Sequence, residues 1–438
     1  FYHTVNILDP YVDFSLYKHL IIVHAGDDQA DSGEKNDIWS AYYSGLTIPT
    51  NDGVTITSGF TVAETSPMGT FAHEFGHSRG LPDLYDYNYT REFVGDWSLM
   101  DSGGWLGSPS GSWPSQLMSP ERMWLGWIAS SQVVSISSGM IENITLNNLE
   151  TSGDFLAVKI PLGTAYYYTI EYRRKILFDK YLPMEGVIIS YVDENLESGQ
   201  GIVRVQDARP NSKNYPYDLT DAAFTSGMRF VDREREVAVK IWSLSETAFI
   251  QAQRGFADLK IESINFTGTP ILGSSLVFRG KISNIGVTAS NYAEVELKID
   301  GSTVAKRGVS AIPAYSSVTV DLGNWTATPG SHRVEAFVDV TDNVVEKNET
   351  NNSNLTTIEI AGKVIVDQAS VSRVRVDVSS VQNVYFRAIW DDGTPVKGGL
   401  IYVNGTGYVT NSTGWITINV LFSTVGKRVW AITGVNCY

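Results

Sequence analysis

The chain has 438 residues, which is more than one hydrophobic core usually supports and predicts roughly two to four domains. Its formal net charge is −15, from 48 acidic and 33 basic residues, and this excess of acid argues against nucleic acid as a partner. No run of about 18 apolar residues occurs, which excludes a transmembrane helix.

Cysteine usage and glycosylation sequons indicate the compartment. The single cysteine, Cys437, excludes a disulfide within the chain, and we interpret it as an incidental thiol. No signal peptide opens the chain at Phe1, and we expect a mature or trimmed form. The charged fraction of 18% and nine N-x-S/T sequons favour a glycosylated, secreted or cell-surface protein, the alternative being asparagine-rich β loops. The sequons start at Asn88, Asn143, Asn265, Asn324, Asn348, Asn351, Asn354, Asn404 and Asn411.

The first predicted elements are a strand and a helix. Leu20–Val23 is a short apolar run that predicts a buried strand before the segment VHAG. Thr70–Ser78 predicts a helix that carries His73-Glu74-x-x-His77.

This histidine and glutamate pattern carries the strongest chemical signal of the chain. On a helix, positions i and i+4 lie on one face, so His73 and His77 can point their imidazoles at one metal ion. Glu74 is then placed to act as general base on a metal-bound water. The alternative is an ordinary solvated helix face. The spacing therefore predicts a catalytic zinc site.

The residues after His77 predict a sharp turn. Gly80 can end the helix in a left-handed conformation, and Pro82 prevents the helix from continuing. The turn can bring Asp83 back under the metal, and a catalytic zinc site needs three protein ligands plus a water. We therefore predict Asp83 as the third ligand. The alternative is that Asp83 stabilises the turn while another carboxylate binds the metal, from Asp86, Glu92 or Glu121.

A turn-rich segment, Gly95–Gly104, carries Met100 in its middle. In zinc peptidases with an extended H-E-x-x-H motif, a downstream methionine forms an apolar floor under the ligands. Met100 is predicted to fill this role, the alternative being an ordinary core methionine. Further on, Ser119 and Pro120 predict the N-cap and first residue of a helix, with Glu121 capping its first turn.

After Trp127 the pattern changes to β structure. A sandwich over residues 129–255 is predicted from the strands Phe155–Ile160, Ala165–Tyr172, Gly186–Val192 and Val237–Trp242. Turn signals predict two further immunoglobulin-like sandwiches, the last of which contains Asp391–Val396 (DDGTPV). These two modules are predicted to be spacers, with contact to a cell surface or glycans as the alternative. Acidic loop residues make calcium a candidate structural cofactor without a located site.

Several motifs together resemble the immune inhibitor A family of secreted zinc metallopeptidases. HEFGHSRGLPDLYD at 73–86 is close to the family's H-E-x-G-H-x-x-G-L-P-D-x-Y-D, and GDWSLMDSG at 95–103 resembles its G-x-W-x-L-M-x-S-G. The likeness covers about residues 5–250 and includes MSPERMWLGW at 118–127. Residues 256–361 resemble a CARDB adhesion-type module, and residues 362–438 resemble bacterial or archaeal Ig-like domains.

The resemblance implies a metzincin-like endopeptidase. The roles of zinc ligand, general base and Met-turn methionine carry over to His73, His77, Asp83, Glu74 and Met100. Some metzincins have a tyrosine two residues after that methionine to stabilise the transition state, but Ser102 stands there in this chain. Tyr85 and Tyr87 are the nearby aromatic hydroxyls, with a structural role as their alternative.

These observations predict a multidomain protein. An α/β metzincin-like zinc peptidase domain over residues 1–128 is followed by three β-sandwich domains over 129–255, 256–361 and 362–438. The predicted function is that of a secreted zinc-dependent endopeptidase that acts on proteins or peptides through a zinc-activated water. The alternative is a cell-surface adhesion protein with a vestigial peptidase domain.

Overall fold

A computed structural model of the protein describes residues 1–212, 216–371, 379–391, 393–421, 423 and 429–436. Cys437 and Asp392 lie outside these residues. The chain divides into two compact units, Phe1–Phe256 and Ala257–Tyr438, and β-strands dominate both. None of the described helices is long and apolar enough to span a membrane.

The helices of the described chain are short. The α-helices are α1 (Tyr2–Leu8), α2 (Gln29–Ser32), α3 (Met68–Ser78) and α4 (Ser119–Trp124). Single 3-10 turns span Phe14–Leu16, Gly95–Trp97, Ser102–Trp105, Ser130–Gln132 and Leu177–Tyr181. The predicted active-site helix is α3. The N-cap predicted for α4 was wrong by one residue: it is Met118, because the Glu121 carboxylate accepts a hydrogen bond from the Met118 N–H at 2.7 Å.

A three-stranded sheet packs against α3. Its strands are β1 (Ile21–His24), β2 (Ala41–Pro49) and β3 (Thr55–Ala63), in the order β1-β3-β2. β1 runs parallel to β3, while β2 runs antiparallel, and α3 contacts β2 and β3. The prediction of a buried strand near residue 21 was wrong in burial, since β1 is an edge strand that leaves Ile21 and Val23 exposed.

Two further sheets follow within the first unit. The five-stranded sheet has the order β4-β6-β7-β8-β9, with β4 (Val133–Ser135), β6 (Ala157–Pro161), β7 (Tyr166–Arg173), β8 (Gly186–Asp193) and β9 (Val203–Val205). The four-stranded sheet has the order β10-β11-β12-β5, with β5 (Met140–Asn147), β10 (Arg229–Asp232), β11 (Val237–Leu244) and β12 (Thr247–Arg254). One hydrophobic core takes side chains from both sheets, so the sheets face each other.

The five-stranded sheet is buried on both faces. Along β7, Tyr168 and Ile170 enter the core shared with the four-stranded sheet. Tyr167 enters a different core, which contains Trp97 and Met100 from the N-terminal segment. Because successive side chains of a strand point to opposite faces, β7 joins the two cores. The N-terminal segment and the sheet that follows it are therefore parts of one packed unit.

The described residues of the second unit form four sheets. One core is shared by β13-β14-β17 and β16-β15-β18-β19, with bounds Leu259–Thr267 (β13), Ser275–Asn284 (β14), Ala293–Ile299 (β15), Ser302–Val309 (β16), Ser316–Thr326 (β17), Gly330–Val338 (β18) and Ser353–Ile360 (β19). Another is shared by β20-β21-β24 and β23-β22-β25, with bounds Val364–Val371 (β20), Val381–Trp390 (β21), Leu400–Val403 (β22), Thr406–Val409 (β23), Trp415–Leu421 (β24) and Ile432–Asn436 (β25).

Candidate active site

Helix α3 lies in close contact with the later segment that carries Met100 and Gly104. A Cβ atom on Gly76 would stand 2.6 Å from the Met100 Sδ, and one on Gly69 would stand 1.9 Å from the Gly104 carbonyl oxygen. Both glycines allow the loop to approach the helix more closely than any other residue would. The face of α3 next to these contacts carries the two histidines of the motif.

Three candidate ligand atoms converge beside α3. The Nε2 atoms of His73 and His77 are 3.1 Å apart, and each is 3.1 Å from the Asp83 Oδ1. Within the described ranges, this is the group of three His, Cys, Asp or Glu side chains whose geometry suits a metal ion. No second such group among those residues offers the predicted calcium a site.

Hydrogen bonds at the other ring nitrogens orient the two imidazoles. The Nδ1 of His73 lies 3.0 Å from the Leu99 carbonyl oxygen, and the Nδ1 of His77 lies 2.8 Å from that of Leu81. A carbonyl only accepts, so each Nδ1 carries the proton and each Nε2 presents a lone pair. Two lone pairs and a carboxylate oxygen then face one another without a proton between them, which a cation stabilises. The spacing suits zinc, since tetrahedral ligands at ~2.0–2.1 Å lie about 3.3 Å apart.

The turn after α3 brings Asp83 to the histidines. Gly80 has a φ of +91°, the left-handed conformation that glycine adopts without strain. The Leu81 N–H donates to the Gly76 carbonyl at 3.1 Å, and the Gly80 N–H donates to that of His77 at 2.9 Å. This hydrogen-bond pair closes the helix and reverses the chain.

The Asp83 carboxylate is held ionised. Its side chain is buried, which by itself raises the pKa, but the polar groups around the carboxylate, namely the imidazoles of His73 and His77 and the hydroxyl of Tyr87, outweigh burial and lower the pKa of Asp83 well below the ordinary value. An ionised carboxylate with one oxygen facing two imidazoles is the form that binds a cation.

Glu74 lies in the same cleft and does not join the ligand cluster. It is 7% exposed, and its Oε2 has no hydrogen-bond partner within the described part of the chain. Burial raises the pKa of Glu74 above its ordinary value, and this effect outweighs the nearby histidines His73 and His77, which lower the pKa. A buried carboxylate with an uncommitted oxygen is suited to taking up a proton.

The loop that carries Met100 also carries a partner of His73. Met100 is fully buried, and its N–H donates to the Ser98 Oγ at 3.0 Å. The Ser98 hydroxyl donates in turn to the carboxylate of Glu121, whose oxygens lie at 2.7 and 2.9 Å. Leu99, which lies between Ser98 and Met100 in sequence, supplies the carbonyl that accepts a hydrogen bond from the His73 ring. One buried loop thus fixes the position of Met100 and the orientation of the His73 imidazole.

The other carboxylates that were candidates for the third ligand have different partners. Asp86 accepts from the N–H groups of Asn88 and Thr90 at 2.9 and 2.8 Å. Glu92 accepts from the Leu219 N–H at 2.9 Å, and burial raises its pKa to about 7. Glu121 is fully buried against Ser98 and Met118, and burial raises its pKa to about 7 as well. None of the three joins His73 and His77.

A cleft of about 490 Å³ opens beside these residues. His73 and Glu74 line it, together with the aromatic side chains of Trp39, Tyr85, Tyr89, Trp105 and Tyr217. An aromatic wall next to an ionisable site is typical of a pocket that binds an organic substrate.

Sequence patterns did not reveal the residues that hold the site from a distance. Arg173, at the end of β7, is fully buried and donates to the Trp97 carbonyl at 2.8 Å. Its charge is balanced by Asp179 at 2.6 Å and Glu171 at 3.0 Å. The signal was present as two charged residues, Glu171 and Arg173, at alternate positions of an otherwise uncharged strand, which is the pattern of a buried ion pair.

Two family profiles match parts of the chain. The profile of the immune inhibitor A peptidase M6 catalytic domain matches residues 9–129, and the CARDB profile matches residues 256–356. The chain is 34% identical over 124 residues to immune inhibitor A of Bacillus thuringiensis subsp. alesti, covering 24% of this chain and 18% of the relative. It is 33% identical over 123 residues to the pre-pro-metalloprotease PrtV of Vibrio cholerae, covering 27% and 12%.

A solved CARDB domain from Pyrococcus furiosus is also similar. It is 23% identical, covers 24% of this chain and 90% of its own, and has a TM-score of 0.22. The chain spans less than a fifth of the length of the two bacterial proteases. The chain thus carries an immune inhibitor A peptidase M6 catalytic domain at its N-terminal end, followed by a CARDB domain, and is homologous to immune inhibitor A and PrtV.

Proposed function

We propose that this protein is a zinc-dependent endopeptidase that hydrolyses peptide bonds of proteins. The observation that carries the proposal is the convergence of His73 Nε2, His77 Nε2 and Asp83 Oδ1 at 3.1 Å from one another, beside a cleft that contains Glu74. Homology to metalloproteases supports it. His73, His77 and Asp83 are the residues that would hold the zinc.

The chemistry that zinc supplies at such a site is polarisation of the scissile carbonyl and of the attacking water. Glu74 removes a proton from that water as its oxygen forms the new bond to the carbonyl carbon. When the C–N bond breaks, the same carboxyl delivers the proton to the leaving amine. Burial and the free Oε2 prepare Glu74 for both transfers.

A chelator experiment tests this function. We expect a metal chelator to abolish casein hydrolysis by the purified protein and added Zn²⁺ to restore it. The reason is that the three ligands of the cluster would hold the ion that polarises the scissile carbonyl and the attacking water. The rate of casein hydrolysis is measured before chelation, after it, and after zinc is returned. A zinc-loaded protein that cleaves no protein substrate would contradict the proposal and favour the adhesion alternative.

Tyr85 is the hydroxyl that we propose to stabilise the transition state. It lines the cleft with His73 and Glu74, and its ring lies 6.4 Å from the His73 ring. No described residue hydrogen-bonds its hydroxyl, whereas the hydroxyl of Tyr87 is engaged. Burial, with the charge of Asp83, raises the pKa of Tyr85, so the phenol keeps its proton as a donor.

Tyr85→Phe therefore lowers kcat by about 10²-fold, the usual effect of removing one donor to a developing oxyanion. KM and zinc content stay near those of the unchanged protein, since the ring remains. Steady-state kinetics on a fluorogenic peptide measure the effect, with Tyr11→Phe as control because the Tyr11 side chain is 85% exposed. An unchanged kcat in Tyr85→Phe rules out this role.

Extracellular location and the domain division belong to the same proposal. The homologue named a pre-pro-metalloprotease supports secretion. Seven of the nine sequon asparagines are exposed, while Asn351 and Asn354 are partly buried and donate to Asp258 and the Ile261 carbonyl. The paired sheets and their shared cores support one β-sandwich domain in each of three segments, residues 129–255, 256–361 and 362–438.

A further inference from the structure

The two oxygens of the Asp83 carboxylate have different partners. Oδ1 faces the two histidine Nε2 atoms at 3.1 Å each. Oδ2 accepts a hydrogen bond from the Tyr87 hydroxyl at 2.6 Å, a distance typical of a strong bond to an ionised oxygen. The phenol thus occupies the oxygen that does not face the histidines.

A loop more than 100 residues away holds the same group. The Ser198 Oγ, between β8 and β9, accepts from the Asp83 N–H at 2.8 Å and lies 3.0 Å from the Tyr87 Oη. A phenol has one proton, and Tyr87 donates it to the carboxylate, so the serine hydroxyl donates in this contact. Ser198 therefore fixes both the backbone of Asp83 and the phenol that holds its side chain.

Backbone contacts bring the loop to this position. The Gly199 N–H donates to the Asp83 carbonyl at 3.2 Å, and the Tyr87 N–H donates to the Gly199 carbonyl at 3.4 Å. Gly199 has a φ of +75°, and a Cβ atom there would stand 2.3 Å from the Tyr87 ring. Only glycine allows the loop to pass this close to the ring. The loop and the segment from Asp83 to Tyr87 are paired at several points.

We propose that Tyr87 and Ser198 are positioning residues for the third metal ligand. By engaging Oδ2 and the backbone of Asp83, they present Oδ1 alone to the ion and prevent the carboxylate from rotating to offer both oxygens. Groups that hydrogen-bond a ligating carboxylate set its orientation, and their loss typically weakens metal binding ~10–100-fold. This inference rests on the proposed zinc site and adds two residues to it.

The test measures metal binding directly. Zn²⁺ dissociation constants are obtained by competition with a chromogenic chelator for the unchanged protein, Tyr87→Phe, Ser198→Ala and Ser198→Thr. We expect the first two variants to bind Zn²⁺ about 10–100-fold more weakly and Ser198→Thr, which keeps the hydroxyl, to recover most of the affinity. Tyr11→Phe is the matched control, because it removes a phenol hydroxyl from a side chain that is 85% exposed.

Co²⁺ substitution gives a second readout that loss of fold alone does not reproduce. With Tyr87→Phe, the freed Oδ2 can bind the ion, so the visible d–d absorption is expected to weaken and shift as the coordination number rises. Tyr87 is 50% exposed, and near-UV circular dichroism checks that its variant is folded. If the unchanged protein binds Zn²⁺ and cleaves casein while Tyr87→Phe and Ser198→Ala bind Zn²⁺ and Co²⁺ identically to it, the inference is wrong and the proposed function stands. If the unchanged protein binds no Zn²⁺, both are wrong.

Discussion

Glu74→Gln is expected to lower peptide hydrolysis by about 10²- to 10⁴-fold while zinc stays bound, because glutamine keeps the shape of the side chain but cannot accept a proton. Glu74 is buried, has an uncommitted Oε2 and lies outside the ligand cluster. Its loss therefore removes proton transfer without removing a ligand. Initial rates on casein and zinc content by atomic absorption are measured on the same preparation.

The matched control for this change is Glu34→Gln, an exposed glutamate of the same unit. It makes the same change of charge away from the cleft and should leave the rate unchanged. Full activity in Glu74→Gln would contradict the proposed mechanism. Loss of zinc together with activity would instead assign Glu74 a part in binding the metal.

A fragment of residues 1–129 is expected not to fold, although the peptidase family profile ends there. Trp97, Met100 and Met118 are fully buried in a core that also takes side chains from the five-stranded sheet and from residues beyond it, such as Tyr167, Ile188 and Leu219. Burial of each such side chain contributes about 1.5–3 kcal/mol. Losing several of these contributions approaches the ~5–15 kcal/mol that stabilises a typical domain.

A fragment of residues 1–256, which matches the first compact unit, is the control. We expect it to unfold cooperatively and to bind Zn²⁺, whereas the shorter fragment gives no near-UV circular dichroism and no cooperative transition. Differential scanning calorimetry compares the two. Cooperative unfolding of the shorter fragment would show that the N-terminal segment has a sufficient core of its own.

The likeness to immune inhibitor A is confirmed over residues 9–129, and the likeness to a CARDB module is confirmed over residues 256–356. The strands predicted after residue 150 lie within one or two residues of β6, β7, β8 and the start of β11. Their patterns are local, since a run of apolar and β-branched residues determines a strand wherever it packs. The boundary predicted at residue 128 stays a prediction, and it falls inside the first unit.

The sequence by itself determined the parts of the site that depend on short-range geometry. Helical spacing places His73 and His77 on one face, and glycine at position 80 permits the left-handed turn that leads to Asp83. The tertiary structure alone decided what holds these groups: the Leu99 carbonyl on His73, Ser198 on Asp83, and the burial of Arg173 beneath the methionine loop. Contacts between residues far apart in the chain leave no periodic pattern, because they depend on which faces of distant strands the two cores bring together.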